Sequence, residues 1–99
     1  MHVHEVWTAA VTTRYGAWSV AAASRRDVFV LLAAWVREQW DEDMEDLRQV
    51  RKYGHEIGRI PRTPPKEDRA AVARYFILMS DRYLEYGCNI EVHRVTFPK

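Results

Sequence analysis

The apolar and polar positions of this chain change period twice. Over residues 3–13, Val3, Trp7, Ala9 and Val11 share one parity, while His4, Thr8 and Thr12 share the other. That alternation predicts a half-buried strand. Arg14, Tyr15 and Gly16 follow as a hairpin loop, with Gly16 suited to a positive φ. Residues 17–23 return as a second strand, with Trp18, Val20 and Ala22 on one face. Trp7 and Trp18 are expected to meet as cross-strand or diagonal neighbours.

From Ser24 the period becomes helical. Ser24 is an N-cap, with Asp27 three residues on as a weak capping box. The helix is expected from Arg25 to about Trp40. Val28, Leu31, Leu32 and Trp35 form one stripe, and Phe29, Ala33, Val36 and Trp40 form a second. Two adjoining stripes require cover on more than one side. The sheet plus another helix supplies that cover within the domain; a partner protein is the alternative. Met44, Leu47, Val50 and Tyr53 then recur every three residues, which predicts a second short helix, or a continuation after a bend, stopping at Gly54. His55 to Pro65 reads as a linker punctuated by Gly58, Pro61, Pro64 and Pro65. Thr63 is a candidate N-cap and Pro64 a first helical residue. They open a helix to Met79, striped by Val72, Phe76 and Met79, which ends near Ser80 or runs on through Leu84. The last strand is expected from Asn89 to Phe97.

The order β-β-α-α-α-β predicts one α+β domain over residues 1–99. Its sheet is three-stranded and mainly antiparallel, built from the N-terminal hairpin and the C-terminal strand. The first strand is central, and two or three helices pack on one face. The other face is expected to be partly open to solvent or to a partner.

Composition narrows the function classes. The 99 residues are 47% hydrophobic and 29% charged, as in an ordinary folded domain. A net charge of +1 gives no overall basic bias towards nucleic acid. The single cysteine, Cys88, excludes an internal disulfide and suits a reducing cytosol. The longest apolar run, Val28 to Val36, is too short for a membrane span of about 20 residues. No signal peptide is read at the N-terminus, so the expected compartment is the cytoplasm, without membrane attachment.

Charge is segregated instead. Glu38, Asp41, Glu42, Asp43, Glu45 and Asp46 place six carboxylates in nine residues, beside Trp40. Such a block can imitate phosphates and occupy an arginine-lined groove. Its plain alternative is a solvated helix start, favoured by the helix dipole. Next comes a basic stretch: Arg48, Arg51, Lys52, Arg59 and Arg62, continuing to Lys66, Arg69 and Arg74. Tyr53 and Tyr75 are interleaved, as in surfaces that stack single-stranded bases. Trp35, Trp40 and Tyr83 are candidate interface anchors, Trp40 being the one expected to be exposed. His2, His4 and His93 are the residues from which a zinc site would have to be built, with exposed histidines at a terminus as the alternative. Cys88 carries no nucleophile signature and is expected to be a small half-buried residue. No metal site, cofactor or catalytic residue is assigned.

The hairpin Val6-Trp7-Thr8 to Val11-Thr12-Thr13-Arg14-Tyr15-Gly16 is one part of a wider pattern. Its other parts are Leu32-Ala33-Ala34-Trp35-Val36-Arg37-Glu38-Gln39-Trp40-Asp41-Glu42, then Ala71-Val72-Ala73-Arg74-Tyr75-Phe76 and Ile90-Glu91-Val92-His93. Over most of the chain this resembles small accessory proteins of phages, plasmids and other mobile elements; the basic Pro-rich insert from Gly54 to Lys66 departs from it. The resemblance implies a non-enzymatic protein acting in a bacterial host cell. Its implied partner is a host protein or ribonucleoprotein complex, a CRISPR effector among them, which it would inhibit as anti-CRISPR proteins do. The partner-binding residues would be Glu38, Trp40, Asp41, Glu42, Asp43, Glu45 and Asp46. The alternative is a small nucleic-acid-binding module using Arg48, Arg51, Lys52, Arg59 and Arg62. The apolar breadth of Arg25 to Trp40 also admits a homodimer.

Overall fold

A computed structural model describes residues 2–54, 59–66, 69–80 and 84–97; of His2, Val3 and Phe97 it describes the backbone alone. Strand β1 (His2–Thr13) turns at Arg14 and Tyr15 into β2 (Gly16–Ala22). Helix α1 (Arg25–Lys52) and helix α2 (Arg69–Met79) follow, and β3 (Gly87–Phe97) closes the sheet. The sheet order is β2-β1-β3, antiparallel throughout, so β1 is central as the pattern predicts.

Register decides which side chains share a face. Ala9 lies opposite Val20 and Ile90, and Val11 opposite Trp18 and Cys88. Directly opposed residues point the same way, so these form the inner face, where Ala9 and Val11 are buried. The outer face carries Ala10, Thr12, Ala17, Ser19, Ala21, Glu91 and His93, all exposed. Trp7 pairs with Ala22 rather than approaching Trp18, because the hairpin is closed by two residues and sets Trp18 opposite Val11. Gly16, at φ 156°, closes the turn; a Cβ there would sit 3.5 Å from the Trp18 ring.

Helix α1 does not end at Trp40, nor bend into a second helix. It runs unbroken for 28 residues, about 42 Å at the usual rise. No Gly or Pro lies between Arg25 and Lys52, and the acidic stretch contains nothing that breaks a helix. Its ends follow their caps: the Asp27 N–H donates to Ser24 Oγ at 3.1 Å. Gly54 takes φ 86° just past the C-cap residue Tyr53 and donates to the Arg51 carbonyl.

Helix α2 starts at Arg69, not at Pro64. A residue before proline is pushed out of the helical region, so Pro65 denies Pro64 its place and Thr63 its capping role. Residues 55–58, 67–68 and 81–83 lie outside the described part, as does any continuation of α2 through Tyr83.

The apolar stripes of α1 are covered from within the chain. The helix packs on β1 and β2, while α2 bridges α1 and β3. Val28, Phe29, Leu32, Ala33, Val36, Met44 and Leu47 are buried with Val72, Tyr75, Phe76 and Met79. Leu31 is the exception, 39% exposed. With principal extents of 59 × 23 × 18 Å, the molecule is elongated.

Leu47 tests this packing, because it is fully buried seven residues beyond the expected helix end. Leu47→Ala should cost about 2–5 kcal/mol in urea denaturation. A cost under about 1 kcal/mol would mean that the distal half of α1 does not pack.

Candidate functional site

Continuity of α1 creates the site. Trp35, Gln39, Glu42, Asp43 and Asp46 recur at helical spacing, so they share one side of the helix. Facing them are Tyr15 and Trp18 of the hairpin and Tyr86, just before β3. Together they line a groove of about 710 Å³, with Asp41 and Glu45 also at its margin. The aromatic wall is continuous: Trp18 and Trp35 lie 5.6 Å apart between ring centroids, and Trp35 and Tyr86 6.3 Å. Tyr15 is 67% and Trp18 40% exposed, so part of this wall is open to a visitor.

The acidic residues divide into three kinds. Asp41, Glu42 and Glu45 are exposed, and Asp46 is half-buried. Glu38 is exposed but does not line the groove. Asp43 breaks the expectation of a solvated block: it is only 1% exposed. Tyr86 donates its hydroxyl hydrogen bond to Asp43 Oδ1, tying the middle of α1 to the start of β3. Glu85, the residue before it, adopts φ 60°, an uncommon conformation that turns the chain into this contact. Oδ2 of Asp43 has no hydrogen-bond partner among the described residues, nor does Trp35 Nε1 in the same groove.

Burial is the main force on the Asp43 carboxyl and pushes it up to about 6. The Tyr86 hydrogen bond opposes that rise, while the Asp46 and Glu42 charges reinforce it. The Tyr86 phenol is driven well above its usual range, first by burial and then by bonding to Asp43. Glu45 is held below the ordinary carboxylate range by hydrogen bonds from Gln49 and Arg48. At the groove mouth Arg14 Nη2 lies 3.8 Å from Asp46 and donates to the Tyr15 hydroxyl at 2.8 Å.

The dipole explanation of the acidic block fails on position. Asp41 to Asp46 stand in the interior of a 28-residue helix, whereas dipole stabilisation acts only in the first and last turns. Crowded like charges at these spacings weaken a helix. Arg51 and Lys52 do occupy the last turn, where the dipole favours them.

Trp40 is a correction. It is half-buried and packs against Tyr75 of α2, at 6.2 Å between centroids, and does not line the groove. Its indole belongs to the stripe that meets α2. Tyr83 lies outside the described residues. Tyr15, Trp18, Gln39 and Tyr86 also line the groove, although the sequence pattern marks none of them as a site residue. Trp18 in a strand of small residues was the one available signal; Tyr86 is 43 positions from Asp43 and gave none.

The basic stretch forms a less coherent surface. Arg48 pairs with Glu45 at 3.2 Å. Lys52, Arg59 and Arg62 are exposed, as is Arg51. Tyr53 is 75% exposed, but Tyr75 is buried against Phe76 and offers no stacking face. On the outer sheet face, His93 lies across from Val6 and contacts Thr8 and Glu91. Among the described residues no group of three His, Cys, Asp or Glu side chains is placed to hold a metal ion. Cys88 is half-buried, and burial pushes its thiol up, away from nucleophilic character. No helix among the described residues is long and apolar enough to cross a membrane.

No family model, curated protein or solved structure matches this chain.

The buried carboxyl makes stability depend on pH with a definite sign. The folded state holds the Asp43 proton more tightly than the unfolded chain, whose value lies near 3.8. Its contribution is therefore fully present below that value and lost as pH rises through about 6. The loss is on the order of 2–3 kcal/mol. Urea denaturation of wild type and Asp43→Asn at steps from about pH 4 to about pH 7 should show this extra fall in wild type alone. Parallel curves would contradict it.

Proposed function

We propose that the protein is a non-enzymatic binding protein that docks basic residues of a macromolecular partner on the acidic side of α1. The observation that carries this reading is the acidic block itself: a run of carboxylates in a helix interior, at an aromatic-walled groove, where it has no dipole to complement. Asp41, Glu42, Glu45 and Asp46 supply the charge, and Tyr15 and Trp18 supply open aromatic surface. Aromatic and charged side chains in one concave patch are the usual composition of an interaction hot spot.

The resemblance to mobile-element accessory proteins gives the partner its class: a host defence complex, whose nucleic-acid groove is lined by arginine and lysine. A row of carboxylates spaced along a helix substitutes for phosphates there, and the protein acts as a stoichiometric inhibitor in the host cytoplasm. The proposal assigns no catalytic residue and no cofactor. The alternative, direct nucleic-acid binding through Arg48, Arg51, Lys52, Arg59 and Arg62, has the exposure of these cations and of Tyr53 in its favour.

The two readings separate by salt and by mutation. The quadruple variant Asp41→Asn, Glu42→Gln, Glu45→Gln, Asp46→Asn should lose a nuclease-resistant, salt-sensitive complex that wild type captures from bacterial lysate. Capture unchanged by the four substitutions would overturn the proposal. So would a tight, salt-sensitive gel shift of bare DNA or RNA that depends on the five basic residues.

A further inference from the structure

We infer that the groove between the hairpin and α1 is a receptor for one arginine side chain of an incoming peptide segment. The inference rests on the reading of this face as a docking surface and narrows it to a single guanidinium. Acidic residues alone would not carry it. The second observation is Asp43: a buried carboxylate lining the groove, one oxygen engaged by Tyr86 and the other without a partner among the described residues. A carboxylate accepts several hydrogen bonds, and leaving one oxygen buried and unmet is costly. Oδ2 is shielded from solvent, so a donor meets it only as the groove side chains part, and it then removes that cost.

The donor must be cationic. Asp43 is surrounded by Glu42 and Asp46 on its own helix and by the neutral Tyr86 phenol across from it. Among the described residues, the basic groups acting on this cluster include Arg14, near Asp46, Arg48, engaged with Glu45, and Lys52, whose charge also acts on Glu45. Against the five carboxylates lining the groove, those three cations leave an excess of negative charge.

The aromatic wall selects guanidinium over ammonium. A planar, weakly hydrated guanidinium stacks on aromatic faces while its edge donates in parallel to carboxylates; a lysine ammonium is compact and strongly hydrated. The hairpin tip already shows this chemistry: the Arg14 guanidinium sits 4.9 Å from the centroid of the Tyr15 ring while reaching towards Asp46. Trp35 adds the unpartnered indole N–H, a donor that a peptide carbonyl satisfies. An arginine within a peptide offers both complements in one ligand, which a free metal ion does not.

The test is NMR titration of the full chain with capped glycyl-arginyl-glycine, and with the same peptide carrying lysine or citrulline. The arginine peptide should move the Trp35 indole N–H resonance saturably. The lysine peptide should bind several-fold more weakly and the citrulline peptide not detectably. Asp43→Asn, which keeps an acceptor for Tyr86, should weaken arginine binding about tenfold or more. Glu42→Gln, at an exposed position, should weaken it less and guards against a folding defect in the first variant. An unmoved Trp35 indole, equal binding of arginine and citrulline peptides, or unchanged affinity in both variants would overturn the inference. So would the same Asp43-dependent shift on adding calcium or magnesium alone. If the acid-dependent lysate complex survives such a result, the docking reading stands and only the arginine receptor falls; if both vanish, both fall.

Discussion

One unbroken helix governs this molecule. Were α1 to stop at Trp40, the acids would cap a new helix and face solvent, and nothing would hold Asp43 against Tyr86. Because it continues to Lys52, the apolar stripe of its first half runs on into Met44 and Leu47. The same continuity carries Trp35, Gln39, Asp43 and Asp46 along a neighbouring side. The groove is the space that this side leaves against a hairpin whose tip bears Tyr15 and Trp18.

The Asp43–Tyr86 contact gives the arrangement its chemical character. It joins the helix to the closing strand through a hydrogen bond in the interior, where an uncompensated carboxylate raises the energy of the fold. A small domain that keeps such a group, with one oxygen unmet and further carboxylates around it, accepts lower stability in return for a fixed, polarised site. Apolar replacement of a buried charge is often neutral or stabilising. This carboxylate is one support for the proposed docking role. The exposed outer sheet face, with its small residues, shows no comparable concentration of charge.

Much of the fold was legible because its signals are local. Alternation in residues 3–13, the Ser24 cap, the stripes of α1 and the Gly54 stop each act over a few residues. The change from apolar to acidic composition after Trp40 resembles a helix boundary, although no residue in it breaks a helix. The start of α2 departs from the pattern because Pro65 pushes Pro64 out of the helical region. Of the site, the carboxylates were visible as a run, but burial separates Asp43 from the rest, and burial depends on Tyr86, far along the chain. Trp40 stands beside the acids in sequence, but its indole packs against Tyr75 of α2. Spacing of 3.6 residues, rather than adjacency in sequence, decides which side chains meet.

Amide hydrogen exchange across the middle of α1 examines this account most directly. If the helix is continuous and packed, the amides from Phe29 through Leu47 form one protected stretch, with no weak segment at Trp40 to Met44. Rapid exchange confined to Trp40 through Met44 would mean two helices joined by an open link, and with it neither the groove nor the buried Asp43 would exist.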